Sequence, residues 1–336
     1  MKIAILSSIA WRTPPRKYGP WEQVSSNIAE GLVERGFEVT LFATGDSKTR
    51  GKLESICEHP YAEDPSIDPK VAECLHISHL MEQANDFDII HNNFDFLPLT
   101  YSSLIKTPMV TTIHGFSSPK IIPVYKKYNS SSHYVAISNS DRSPELKYIA
   151  TVYNGINIDE FIFVREPEDY LLFFGRIHHD KGVFESIQIA QRSKRKLIIS
   201  GFIQDQEYFN TKVKPFINND DIVYVGNSGP KQRLDLLGKA CALLHPVNFN
   251  EPFGLSVVEA MACGTPVIAF RRGSMPEIVL HGKTGYLVKT VDEAVQAINV
   301  IDTINRNDCK EWVFSMFSRQ KMTKEYLKVY GEILQA

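Results

Sequence analysis

Glu251 and Glu259 stand eight residues apart in NEPFGLSVVEAMACGTPVI (Asn250–Ile268), with Pro252, Phe253 and Gly254 as a turn before a helix opening near Gly254–Leu255. A helix that starts at such a loop presents unpaired backbone N–H groups and the positive end of its dipole, a natural seat for a phosphate. The N–H groups of Gly254 and Leu255 are the candidates. Glu259, one turn further in, is spaced to accept from ribose hydroxyls, and Glu251 stands in the loop nearer a reacting sugar. Arg176 and Lys181 lie in FFGRIHHDKG directly after another apolar run, with Gly175 and Gly182 letting the backbone turn close to a ligand. Two cations about 4 Å from a phosphate charge contribute on the order of 4 kcal/mol each at an effective dielectric of 20, enough to offset a departing diphosphate without a metal. Taken singly these residues are ordinary surface groups. Their combination is what points to diphosphate chemistry.

The elements that must hold them alternate. Lys2–Ser8 reads as a buried strand, Glu22–Arg35 has helical spacing (Val24, Ile28, Leu32), and Gly36 precedes a second strand, Phe37–Ala43. Apolar runs recur at Asp88–His91, Pro108–His114 and Tyr134–Ile137. The rhythm restarts with strands at Tyr170–Phe174, Lys196–Ser200, Ile222–Val225, Ala242–His245, Pro266–Phe270 and Gly285–Val288, between helical patterns such as Lys231–Lys239 and Val257–Ala262. The fold class is therefore α/β, two Rossmann-like doubly wound parallel-sheet domains. Asn154–Gly155 marks a turn, and Asn157–Asp169 lacks periodicity and reads as a hinge. Ligands of open parallel sheets sit beyond the carboxyl ends of the strands, so facing domains are expected to clasp one in a cleft. The expected division is 1–160, 161–315 and a terminal helix, 316–336. Trp312, Phe314, Met316, Phe317 and Tyr326 make an aromatic stripe there that reads as core.

Composition narrows the classes. With 336 residues, 43% hydrophobic and 23% charged, the chain is long enough for two cores and excludes disorder. Its 37 basic and 39 acidic side chains nearly cancel, so no global field recruits nucleic acid or an anionic membrane. Five scattered cysteines without a CxxC pair argue against a disulfide framework or a zinc ribbon and fit a reducing compartment. The opening MKIAILSSIAW reads as a strand rather than a signal peptide, and no stretch approaches the ~18 apolar residues of a span. The expected location is cytoplasmic, free or peripheral at a membrane.

Other motifs yield less. Asp86–Phe87–Asp88 is formally a DxD, but a metal-binding DxD ends a strand and here Asp88 opens one. No GxGxxG follows the first strand, so hydride transfer has little support. His178 and His179 are adjacent rather than i, i+4 and receive no role, Arg192–Lys196 reads as a solvated helix end, and Asp141 with Ser130–Ser132 reads as turn chemistry.

Seven segments in order, YGPWE (Tyr18–Glu22), TTIHGF (Thr111–Phe116), VAIS (Val135–Ser138), YNGIN (Tyr153–Asn157), GRIHHDKG (Gly175–Gly182), EPFGLSVVEAMACGTPVI (Glu251–Ile268) and MPEIVLHGKTGYLV (Met275–Val288), resemble family 4 of the retaining glycosyltransferases. The resemblance covers nearly the whole chain and implies the GT-B fold, with the terminal helix 316–336 crossing back to the first domain near Met322–Leu334. It implies that Arg176 and Lys181 grip a donor diphosphate, that Glu251 touches donor-sugar hydroxyls, that Glu259 binds ribose, and that Phe253, Gly254 and Leu255 cover phosphates and sugar. It places Gly201, Asn227 and Ser228 on the donor side, the latter two in a loop that holds the base. His114 matches a histidine reaching the donor sugar's C6 side, grouped with Glu251 as catalytic. Gly19 and Glu22 belong to the loop after the first strand, on the acceptor side. One departure is Gly19–Pro20 where relatives carry two glycines; proline removes an N–H, which stiffens that loop. The implied activity is metal-independent, retaining hexosyl transfer with a nucleotide-diphosphate sugar as co-substrate and no permanently bound cofactor. UDP is favoured because YG–E and ATGDS (Ala43–Ser47) resemble UDP-sugar-using members. The acceptor is expected to be a small molecule, a saccharide or a lipid-linked saccharide, with no nucleic-acid partner. The alternatives are a non-catalytic nucleotide-sugar binder or a GT-B sugar-nucleotide epimerase.

Overall fold

A computed structural model describes residues 1–116 and 118–335, so Ala336, the last residue of the expected terminal helix, lies outside it. The chain forms two compact units, one of residues 1–156 with 319–336 and the other of residues 157–318.

Unit 1 holds seven strands, β1 (Lys2–Leu6), β2 (Glu38–Phe42), β3 (Lys52–Glu54), β4 (Ile89–Asn92), β5 (Met109–Ile113), β6 (His133–Ala136) and β7 (Tyr148–Thr151). Their order is β3-β2-β1-β4-β5-β6-β7, every neighbouring pair parallel. The central strands are unbroken apolar runs because both faces are covered: Ile3, Ala4, Ile5 and Leu6 are fully buried. The short edge strands β3 and β7 escape the sequence reading, since Lys52–Glu54 and Tyr148–Thr151 lack a clear apolar run.

Unit 2 repeats the plan with β8 (Tyr170–Phe174), β9 (Lys196–Ser200), β10 (Ile222–Tyr224), β11 (Ala242–His245), β12 (Val267–Phe270) and β13 (Gly285–Val288), ordered β10-β9-β8-β11-β12-β13 and all parallel. The order reverses between β8 and β11, the switch point where such sheets open a crevice at their carboxyl ends. The loops following those two strands carry Arg176, Lys181 and Glu251.

The helix Arg319–Gln335 belongs to unit 1 and lies against the helix Pro20–Val33. Arg319 Nη2 donates to Glu34 Oε1 at 2.5 Å, and Arg319 N–H donates to the Ile156 carbonyl at 2.8 Å. A dry polar chain then fixes its register. His91 contacts the Tyr330 hydroxyl through Nδ1 and Thr112 Oγ1 through Nε2, both at 2.7 Å, and Thr112 Oγ1 meets the Tyr326 hydroxyl at 2.8 Å. All four residues are fully buried. Burial pushes the His91 imidazole down to about 3, so it sits neutral between a donor and an acceptor. The aromatic stripe at this end is only partly core. Phe317 and Tyr326 are buried, but Phe314 is 66% exposed, because in the helix Arg306–Met316 it falls on the face opposite Cys309 and Val313.

Replacing Tyr330 by Phe leaves the buried His91 Nδ1 without a partner and should lower unfolding free energy by about 1–3 kcal/mol in urea titrations. An unchanged value would show that the network does not hold the helix.

Candidate active site

In unit 2 the loop after β8 and the loop after β11 are tied backbone to backbone, Asn248 N–H donating to the Asp180 carbonyl at 2.6 Å. Gly182 makes that approach feasible: it sits at φ 74, and a Cβ there would collide with the Pro246 carbonyl. The result is a buried ion pair. Lys181 Nζ donates to Glu251 Oε2 at 2.6 Å with side chains 15% and 10% exposed, and the ammonium lies 4.5 Å from the centre of the Phe249 ring. His245, the last residue of β11, brings Nε2 to 3.4 Å from the same oxygen. Burial alone would raise the Glu251 carboxyl; the Lys181 charge, with His245 beside it, outweighs burial and holds it down to about 2.

The helix Leu255–Ala262 starts immediately beyond. Gly254 is its cap at φ 91, with no side chain closing the first turn, and a Cβ at Gly254 would press 2.7 Å from Met275 Cε. Only glycine fits that conformation and that space. Ser274 braces the approach: its N–H donates to the Glu251 carbonyl at 2.9 Å and its hydroxyl to the Phe253 carbonyl at 2.8 Å. Phe253 is buried against Phe317, rings 5.8 Å apart. Arg176 is held by Gln204 Oε1 and by Asp180 Oδ2, the latter at 3.3 Å. Arg176, Lys181, Glu251, Gly254 and Leu255 thus share the two loops beyond the switch point.

The remaining donor-side residues are placed differently. Glu259 is 6% exposed and faces Arg233, Nη1 to Oε1 3.5 Å; burial raises its carboxyl despite that cation. Gly201 follows β9, its N–H donating to the Gly226 carbonyl at 2.9 Å. Ser228 is buried with its hydroxyl 2.7 Å from that of Ser200, whereas Asn227 is exposed.

Unit 1 gathers a second set at the carboxyl ends of its strands. His114 follows β5, its Nε2 3.0 Å from Asn93 Oδ1 and its ring stacked on Trp21 at 5.8 Å and 26°. Desolvation lowers its pKa, so the ring is neutral and suited to hydrogen bonding rather than to carrying charge. Gly19 caps the helix Pro20–Val33, accepting from Gln23 N–H at 2.9 Å. Glu22 is 2% exposed and accepts from Trp11 N–H at 3.2 Å, so it fastens the loop from inside rather than standing open on it. Burial raises it to about 7.

Asp86 lies in a short 3-10 turn and Asp88 at the entry of β4, where its carboxylate accepts from Lys2 N–H at 2.7 Å. That accounts for the DxD as strand anchoring. Among the described residues, His178, His179 and Asp205 form one group whose donor atoms lie within 4.8 Å of one another, a set with the chemistry to hold a divalent transition metal. Adjacent histidines reach it because His178 is extended and turns both rings onto one side, centroids 4.1 Å apart. His245, Ser274, Gln204, Asn93 and Trp21 are contacts that the sequence reading does not single out. The position of His245 at a strand's carboxyl end was the available signal.

The family model for glycosyltransferase family 4 matches residues 22–160 and that for glycosyl transferases group 1 matches residues 156–313. The two matches together span residues 22–313, and the chain is a glycosyltransferase similar to family 4. An uncharacterized glycosyltransferase of Methanocaldococcus jannaschii is 25% identical to this glycosyltransferase, over 98% of each chain. The N-acetyl-alpha-D-glucosaminyl L-malate synthase of Bacillus anthracis is 27% identical over 93% of each. Among solved structures, Anabaena HepE in complex with UDP and glucose superposes with a TM-score of 0.74 at 18% identity, covering 99% of this glycosyltransferase and 100% of that chain. The fold is GT-B.

For Glu22, a folded-state pKa above the 4.5 of the unfolded chain means stability fully present below about pH 4.5 and lost as pH rises through about 7. Glu22→Gln should therefore match the wild type in unfolding free energy from urea titration near pH 4 and exceed it at pH 8 by on the order of 3 kcal/mol. Equal differences at both pH values would show that the Glu22 carboxyl titrates alike in the folded and unfolded chain and is not raised by burial.

Proposed function

We propose that this glycosyltransferase moves a sugar from a nucleotide-diphosphate sugar, with UDP as the nucleotide, to a hydroxyl acceptor with retention at the anomeric carbon. The donor lies on unit 2 and the acceptor on unit 1. The observation that carries the reading is the cation-rich corner at the carboxyl ends of β8 and β11. Lys181 meets Glu251 there, the open helix start at Gly254 lies against the Glu251 side chain, and Arg176 belongs to the same loop as Lys181. Such a corner fits a diphosphate that gains charge as it departs, because fixed dipoles and cations need no reorganisation when the bond breaks. Glu251, its carboxylate held ionised, accepts from donor-sugar hydroxyls, while Glu259 and the Asn227–Ser228 loop serve the nucleoside. His114 offers a neutral imidazole to the sugar, and Gly19 and Glu22 shape the acceptor loop.

In the step itself the bond from the anomeric carbon to the diphosphate oxygen breaks, and the electron pair leaves with the diphosphate. The acceptor oxygen bonds to the same face of that carbon, and its proton passes to the departing phosphate. The cations already present offset the leaving charge, so the step runs without a metal. UDP is supported by the complex of the Anabaena protein with UDP and glucose. A non-catalytic binder or an epimerase is not favoured, since the family and the named relatives are glycosyltransferases. Among the described residues no helix is long and apolar enough to cross a membrane, which fits an acceptor met in water or at a membrane surface.

A thermal-shift series with UDP, GDP and ADP should single out UDP, because ligand stabilisation grows with concentration over affinity. Product from a mixed acceptor panel should show the donor's anomeric configuration by NMR. Glu251→Ala and Lys181→Ala should each lower turnover at least 100-fold and Asp86→Ala less than twofold. Inverted product, or a metal-dependent collapse in Asp86→Ala, would contradict the reading.

A further inference from the structure

We infer that His245 is a positioning residue that holds Glu251 once Lys181 turns to the donor's diphosphate, an inference that rests on the donor-site reading above. Two groups reach Glu251 Oε2, Lys181 Nζ at 2.6 Å and His245 Nε2 at 3.4 Å. The first is a full charge on a rotatable four-carbon stem, able to swing toward a phosphate. Once it does, the Glu251 carboxylate, only 10% exposed, is left without its strong partner, and a buried carboxylate does not stay ionised alone. It must then gain a proton, move or find another donor.

His245 is the donor already in place. Its backbone is locked in the sheet, paired with Ala269 of β12, and the residue is 6% exposed. Its Nε2 is buried and, although 3.4 Å from Glu251 Oε2, makes no well-aligned hydrogen bond. A polar atom kept dry and unpaired is costly, and a hydrophobic side chain would pack at this strand end at least as well. The cost makes sense if the atom is paired in another state of the site. A few tenths of an ångström of ring rotation would bring Nε2–H into a normal hydrogen bond with Oε2. Lys181 and His245 thus share one carboxylate oxygen in turn, and Glu251 keeps its charge and orientation while the sugar is transferred.

The test uses the full chain. UDP binding is measured by calorimetry, and UDP release from a UDP-sugar panel, with and without saccharide acceptors, is measured for wild type, His245→Ala, His245→Gln, Glu251→Gln and the double variant His245→Ala/Glu251→Gln. His245→Ala should bind UDP within twofold of wild type and keep its KM for the UDP-sugar, yet lose at least tenfold in kcat. His245→Gln, whose side-chain amide can donate from a similar place, should retain kcat within about threefold. In the Glu251→Gln background His245→Ala should cost less than twofold, the signature of two residues acting through one contact. Should the Ala variant fail to fold, His245→Asn, which keeps the amide but shortens its reach, is expected to show the loss that Gln avoids. Wild-type kcat in His245→Ala, an equal loss in His245→Gln, or additive losses in the double variant would overturn the inference alone. Failure of the wild type to bind UDP would overturn the donor-site reading and the inference with it.

Discussion

An ammonium and a carboxylate cannot both leave water cheaply unless they leave together, and the Lys181–Glu251 pair obeys that constraint. Each would be intolerable alone in a site this dry, and breaking a buried pair by deleting one partner typically costs about 3–5 kcal/mol. The surrounding structure reads as the means of bringing them together: two parallel strands that end at the same level, a backbone hydrogen bond between Asn248 and Asp180, and a left-handed glycine at 182 that lets one loop pass under the other. The pair also stores reactivity. A cation held by a carboxylate is available to a diphosphate, which offers more negative charge, and the carboxylate so released is available to a sugar.

Arg176 shows the same economy of charge. Asp180 and Gln204 occupy its guanidinium as Glu251 occupies the Lys181 ammonium, so both cations of the site have partners within the chain. The helix start at Gly254 is the fixed element among these movable groups, its loop fastened by Ser274 to the segment leading from β12. Unit 1 uses burial in place of charge: a neutral His114 stacked on Trp21, and a carboxyl at Glu22 that burial drives toward its protonated form.

What could be read from sequence follows what is local. The buried central strands announce themselves as apolar runs, and Gly254 followed by Leu255–Ala262 announces a helix start, because φ preference and helical spacing act over a few residues. The edge strands β3 and β7 do not, since their residues are half in solvent and their pairing is decided by the neighbour they join. Phe314 misleads for a related reason: an aromatic is usually core, and only the orientation of its helix reveals that it faces outward. In the candidate site, Arg176, Lys181, Glu251 and the Gly254 turn were legible as residue types in motifs. Their partners Gln204 and Ser274 were not, because those contacts join segments 28 and 21 residues apart, and His245, though near Glu251 in sequence, meets it only through the path of the loop after β11. The pair Glu259–Arg233 belongs to the same class, a long-range match that turns an acid spaced as if for the helix surface into a buried one.

The most direct measurement is a crystal structure of the full chain with UDP. The diphosphate is expected beyond β8 and β11, with the Lys181 ammonium and the Arg176 guanidinium on its oxygens and the backbone N–H groups at Gly254–Leu255 within hydrogen-bond reach. A diphosphate bound elsewhere, or one bound there with the Lys181–Glu251 pair intact and both cations turned away from it, would contradict the account.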